Sequence, residues 1–148
     1  MSRRLAREYA VKFLYSIDFN KDEDIDNQLA DFFDSEENVE EADSPSDMKR
    51  NDLLFSEELI KGTLEKLDSI DDLIQSHTVG WTKERIARVD LAVLRLALYE
   101  ILYRDDIPDS VAINEAIELA KKYSTDESGG FINGILGKII RDQSIKGE

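Results

Sequence analysis

Cysteine is absent from all 148 residues, which excludes a disulfide framework, a thiolate metal site, a redox motif and a cysteine nucleophile. Histidine occurs once, at His77, and no Gly-rich phosphate loop precedes a helix, so the common catalytic inventories are missing. His77 sits beside Gln75, Ser76 and Thr78 near a helix end, where capping or plain solvation suits it better than catalysis. No run approaches the roughly 18 consecutive apolar residues of a membrane span, and no apolar stretch of signal-peptide length follows the N-terminal arginines. The sequence therefore reads as a soluble, unprocessed, cytoplasmic protein of one domain, residues 1–148. It implies no membrane, no cofactor, no metal and no catalytic residue.

What is abundant is acid. The net charge is −14, and the stretch from Asp18 to Asp47 holds 13 acidic residues against one lysine, a local −12. Such a total repels phosphate on average, but the rest of the chain is close to neutral. Residues 1–12 carry Arg3, Arg4, Arg7 and Lys12 against Glu8 alone, so a basic spot precedes the acidic belt. The segment 34–52 has few apolar residues to bury and is expected to be an acidic, flexible loop. Asp18, Asn20 and Asp22 imitate the start of a calcium loop, but Glu23 stands where that loop needs Gly and Leu29 where it needs Glu.

Only two prolines and seven glycines punctuate the chain, and its apolar spacing is helical throughout. The expected fold class is all-α. Helices are expected over 3–19, weakly over 25–33, then over 52–67, 70–79, 83–104 and 109–123, with a last helix after Ser124. The segment 83–104 is apolar on nearly every side and should be central in a bundle. Ser124 and Glu127 have the spacing of a capping box for the last helix. Gly130, Gly134 and Gly137 make a smooth strip on it, which suggests close helix packing. Trp81 reads as a core anchor ahead of the central helix.

Two constellations stand out. On a helical wheel Leu5, Ala6, Tyr9, Ala10, Phe13 and Ile17 share one arc, while Arg3, Arg4, Arg7 and Tyr15 share the other, with Val11 and Leu14 blurring the division. Guanidinium groups pair with phosphate and a tyrosine can stack on a splayed base, which is the chemistry of single-stranded RNA recognition; a solvated helix face is the plainer alternative. Asp90 lies among Ile86, Val93, Leu94, Ala97 and Ile101, so its carboxylate is either paired inside the fold or presented to a partner. Glu115 faces away from its helix's apolar stripe, as a solvated surface acid would.

Longer strings go beyond pattern. Arg3-Arg4-Leu5-Ala6-Arg7-Glu8 leading to Leu14-Tyr15, then Trp81 and Arg88 through Glu100, Asp106-Ile107-Pro108, Val111 through Lys121 and Phe131 through Leu136 resemble the NusB family of bacterial transcription antitermination factors. The resemblance spans the chain except its acidic middle. It implies about seven helices in two packed three-helix sub-bundles. It also implies a non-catalytic factor that binds boxA single-stranded RNA together with NusE, a small-subunit ribosomal protein. With NusA, NusG and RNA polymerase, such factors suppress Rho-dependent termination, notably in ribosomal RNA operons. The family's RNA contacts map onto Arg3, Arg4, Arg7, Tyr15, Glu127 and Phe131, and its NusE surface onto Asp90 and Glu115. The chain departs from relatives in having Gly129 and Gly130 where a basic residue commonly precedes Phe131. A protein-only helical adaptor and an accessory domain of an RNA-modifying system are the rival functions.

Overall fold

The computed structural model describes residues 2–17, 24, 26–30, 50–78 and 86–146. The calcium-like start at Asp18, the acidic segment as far as residue 49, and Trp81 lie outside them. Six helices carry the described chain: α1 (Ser2–Ile17), α2 (Arg50–Glu65), α3 (Leu67–Ser76), α4 (Arg88–Tyr103), α5 (Asp109–Tyr123) and α6 (Asp126–Lys146). A further helical stretch covers 26–30, and no strand occurs among the described residues. The all-α expectation holds, and α5 has the expected bounds.

The central helix expected over 83–104 runs only from Arg88 to Tyr103, because Ala87 is extended (φ −54°, ψ 138°) and caps it, leaving Ile86 outside; other boundaries differ for local reasons too. The helix expected from Asp52 begins at Arg50, so 50–52 belong to α2 rather than to the acidic loop, and Asp52 in its first turn suits the positive end of the helix dipole. The helix expected from Ile70 begins at Leu67, because Lys66 interrupts the backbone for one residue only (φ −101°, ψ 13°). The capping box is displaced by one position. Ser124 donates its N–H to the Ala120 carbonyl and closes α5, whereas Thr125 caps α6 by accepting the Ser128 N–H at 3.2 Å.

The chain divides into two compact units, Met1–Lys61 and Gly62–Glu148. In the first, α1 buries Ala6, Tyr9, Ala10, Val11, Phe13 and Leu14, and Ser56 of α2 donates its hydroxyl to the Ala6 carbonyl at 2.9 Å. In the second, α4 packs against α3, α5 and α6. Every residue from Asp90 to Glu100 is buried, as a helix apolar on all sides requires. His77 closes α3, with Nδ1 2.8 Å from the Leu73 carbonyl oxygen and Nε2 2.6 Å from Asp142 of α6. The capping role read from its position is the observed one.

Inside this second unit Arg95 enters the core and needs a counter-charge. Its Nε donates to Asp71 Oδ1 at 2.8 Å and its Nη2 to Oδ2 at 2.9 Å, a two-pronged pair between α4 and α3. A different constraint acts at Gly62, where an added methyl group would overlap the Tyr99 ring, so glycine admits this close approach. The strip of Gly130 and Gly134 behaves otherwise. A Cβ at either position would meet nothing within 4 Å, so the close packing expected there is not found.

The buried pair generates a prediction. Asp71→Asn leaves the Arg95 guanidinium in the core without its counter-charge and should cost about 3–5 kcal/mol of unfolding free energy in urea titrations. A cost under about 1 kcal/mol, as for a surface pair, would contradict the burial argument.

Candidate nucleic-acid interface

The basic helix face is built on α1. Arg3, Arg4, Lys12 and Tyr15 are exposed on it, and Phe55 of α2 supplies its aromatic backing. The Arg3 guanidinium carbon stands 4.3 Å from the Phe55 ring centroid and that of Arg7 5.5 Å. The quadrupole of the ring attracts both cations. A guanidinium laid on a ring also keeps planar N–H edges for bidentate partners, which an ammonium cannot offer. Lys12 uses a second ring, its amine lying 5.0 Å from the Tyr9 centroid.

Arg7 departs from the wheel reading. The polar arc should have left it in solvent, yet only 4% of it is exposed. Val11 and Leu14, the residues that blurred the arc, are buried with it. A wheel assumes one buried side, and α1 is buried over more than one. Arg7 therefore belongs to the support of the face, while Arg3, Arg4 and Tyr15 form its accessible part.

The second cluster lies where α4 and α6 begin. Ile86, Asp90, Thr125, Glu127, Ser128 and Phe131 line a cavity of about 340 Å³. Thr125 and Glu127 are exposed, Phe131 is half-buried, and Asp90 is 7% exposed. Ser128 donates its hydroxyl to Asp90 Oδ2 at 3.0 Å, while Asp90 Oδ1 is buried with no hydrogen-bond partner. Of the two sequence alternatives for Asp90, internal pairing is met by half, since one oxygen is held and the other is not. Phe131 also borders a neighbouring cavity of about 260 Å³ with His77, Thr78, Gly134 and Lys138.

The structure thus brings Asp90 together with Glu127 and Phe131, and places Glu115 half-buried on α5, outside that cavity. Two residues escaped sequence reasoning. Ser128 carried a faint signal, its spacing from Thr125, but nothing in the sequence points it at Asp90. Phe55 reads only as an apolar position on α2, and the arginines that lie over it are some fifty residues away.

By its architecture this is an all-α protein of two helical units. Comparison with known proteins sharpens that class. The sequence profile of the NusB family matches residues 4–141. The transcription antitermination protein NusB of Acetivibrio thermocellus is 44% identical over 144 residues, spanning 95% of this chain and 90% of the relative. That of Methylacidiphilum infernorum is 44% identical over 146 residues, spanning 99% and 95%. Among solved structures, NusB of T. maritima superposes with a TM-score of 0.80 at 37% identity over 94% of this chain and 90% of that one. The NusB chain type solved with NusE and dsRNA shares the fold at a TM-score of 0.79 and 21% identity, over 95% and 97%. The chain belongs to the NusB family.

The division of labour on α1 is testable by stability alone. Arg7→Ala removes a buried stem and a desolvated cation over Phe55 and should cost about 1–2 kcal/mol. Arg4→Ala, on the exposed side, should stay within about 0.5 kcal/mol of the parent. Equal costs in thermal or urea unfolding would return Arg7 to the solvent face.

Proposed function

We propose that this chain is a non-catalytic transcription antitermination factor of the cytoplasm that binds single-stranded boxA RNA jointly with NusE. Together with NusA, NusG and RNA polymerase, it suppresses Rho-dependent termination, notably in ribosomal RNA operons. Family membership supports this reading, as do the names its relatives carry. A solved structure of this fold, NusB with NusE and dsRNA, supports NusE and RNA as the kinds of partner.

The observation that carries the RNA reading is the α1 face, where exposed Arg3 and Arg4 flank an aromatic-backed helix and Tyr15 adds a stacking ring. Arginines neutralise phosphates and release counterions, so the attraction is local and survives an acidic total charge. Arg7 contributes from beneath by sharing Phe55 with Arg3. Glu127 and Phe131 form a second RNA-contacting station at the start of α6, in the other unit. Asp90 and Glu115 present carboxylates to basic groups of NusE, Asp90 from the cavity that it lines.

A protein-only adaptor is the rival reading, favoured by the engagement of two arginines with Phe55. Salt titration separates the two. Affinity for labelled boxA RNA, measured by fluorescence anisotropy with and without NusE, should fall linearly on log–log axes. Arg4→Ala should lower the slope by about 0.7, the share of one single-strand phosphate contact. An affinity and slope unchanged by the substitution would remove α1 from the RNA interface.

A further inference from the structure

Lys12 is an exposed cation of α1 outside the residues assigned to RNA above, and its amine stands 5.0 Å from the centroid of Tyr9, a ring only 3% exposed. An ammonium over a ring fixed in the core is partly immobilised before any ligand arrives, and its three donors can still turn outward. Three residues further along α1, Tyr15 leaves 39% of its surface in solvent. Helical residues three apart are neighbours, with Cβ atoms about 5–6 Å from each other. A cation and a stacking ring therefore stand side by side. Glu8, one turn before Lys12, is half-buried and so the less exposed of the two charges.

A base stacked on Tyr15 brings its phosphate with it, and that charge needs a counter-charge close at hand. At 1.5 Å per residue, Arg4 and Arg3 lie about 16–18 Å up the helix axis from Tyr15. Salt screens exposed charges beyond about 8–10 Å, so those arginines contribute little at this end. Arg7 is about 12 Å away along the axis and is buried. On the other side the acidic stretch opens at Asp18, directly after α1. Between Glu8 and Ile17 the sequence holds one basic residue, Lys12. Resting on the RNA-binding reading above, we propose that Lys12 and Tyr15 hold one nucleotide of the bound strand as a unit. Tyr15 stacks on its base, Lys12 pairs with its phosphate, and Tyr9 positions the ammonium. Lysine acts there as a point charge, and an aromatic face accepts any base, so the unit grips the strand without reading its sequence.

The test uses the full chain, with NusE present, and labelled boxA RNA titrated with salt. Lys12→Gln should lower the log–log salt slope by about 0.7. Tyr15→Leu should weaken binding roughly tenfold at an unchanged slope, and Tyr15→Phe, which keeps the ring, should restore it. Lys61→Gln, at an exposed lysine of α2, should change neither. Abasic sites walked along the RNA should locate one nucleotide at which Tyr15→Leu has no further effect. A methylphosphonate at a phosphate of that same nucleotide should remove the effect of Lys12→Gln. If Tyr15→Leu fails to fold by circular dichroism, Lys12→Gln decides alone, and its effect should vanish at one phosphate of the methylphosphonate walk. An unchanged slope in Lys12→Gln, where Arg4→Ala lowers it, overturns the unit and leaves the RNA-binding reading standing. Effects that map to separate nucleotides also overturn it. Absence of salt-dependent binding by the parent protein overturns both.

Discussion

Residues 90–100 are buried on every side of α4, and three of them, Asp90, Arg95 and Glu100, are ionisable. A helix wrapped by α3, α5 and α6 carries its charges into the core with it, and each must find compensation there. Arg95 finds it fully, in a two-pronged pair with Asp71. Asp90 finds it by half, through Ser128. The complete pair joins α4 to α3, and the incomplete one stands beside the cavity at the starts of α4 and α6.

The α1 face solves a different problem, that of holding cations in place on a chain of net charge −14. Long arginine side chains lose considerable freedom when they bind, and an aromatic support reduces what remains to be lost. Phe55 provides that support to Arg3 and Arg7 together. One of the two is exposed and one is buried, so the ring couples the polar face to the core of its unit. The basic spot then acts over a short range, because salt screens exposed charges beyond about 8–10 Å.

Much of this was legible in the residues. Helical spacing gave α5 its bounds, and the continuous apolar character of 83–104 marked the central helix, although its described start is Arg88. The strings around Arg88–Glu100 and Phe131–Leu136 carried the family resemblance that the comparisons bear out. Other features were hidden for physical reasons. A wheel could not see that Arg7 would be buried, because it presumes a single apolar side. Spacing alone did not separate Ser124 from Thr125 as the cap of α6, since both can cap and only the use of the Ser124 N–H by Ala120 decides. Arg95 drew no separate reading within an apolar run, and its partner lies 24 residues away on another helix. The glycine strip suggested packing, yet helical glycines equally leave an open surface, as Gly130 and Gly134 do.

The proposed RNA contacts fall on α1 and at the start of α6, and crosslinking addresses both at once. Photoactivatable boxA RNA bound with NusE, irradiated and mapped by mass spectrometry, should label peptides from residues 2–17 and from 126–131. Labelling confined to α5, or absent from both stations under conditions where the complex forms, would contradict it.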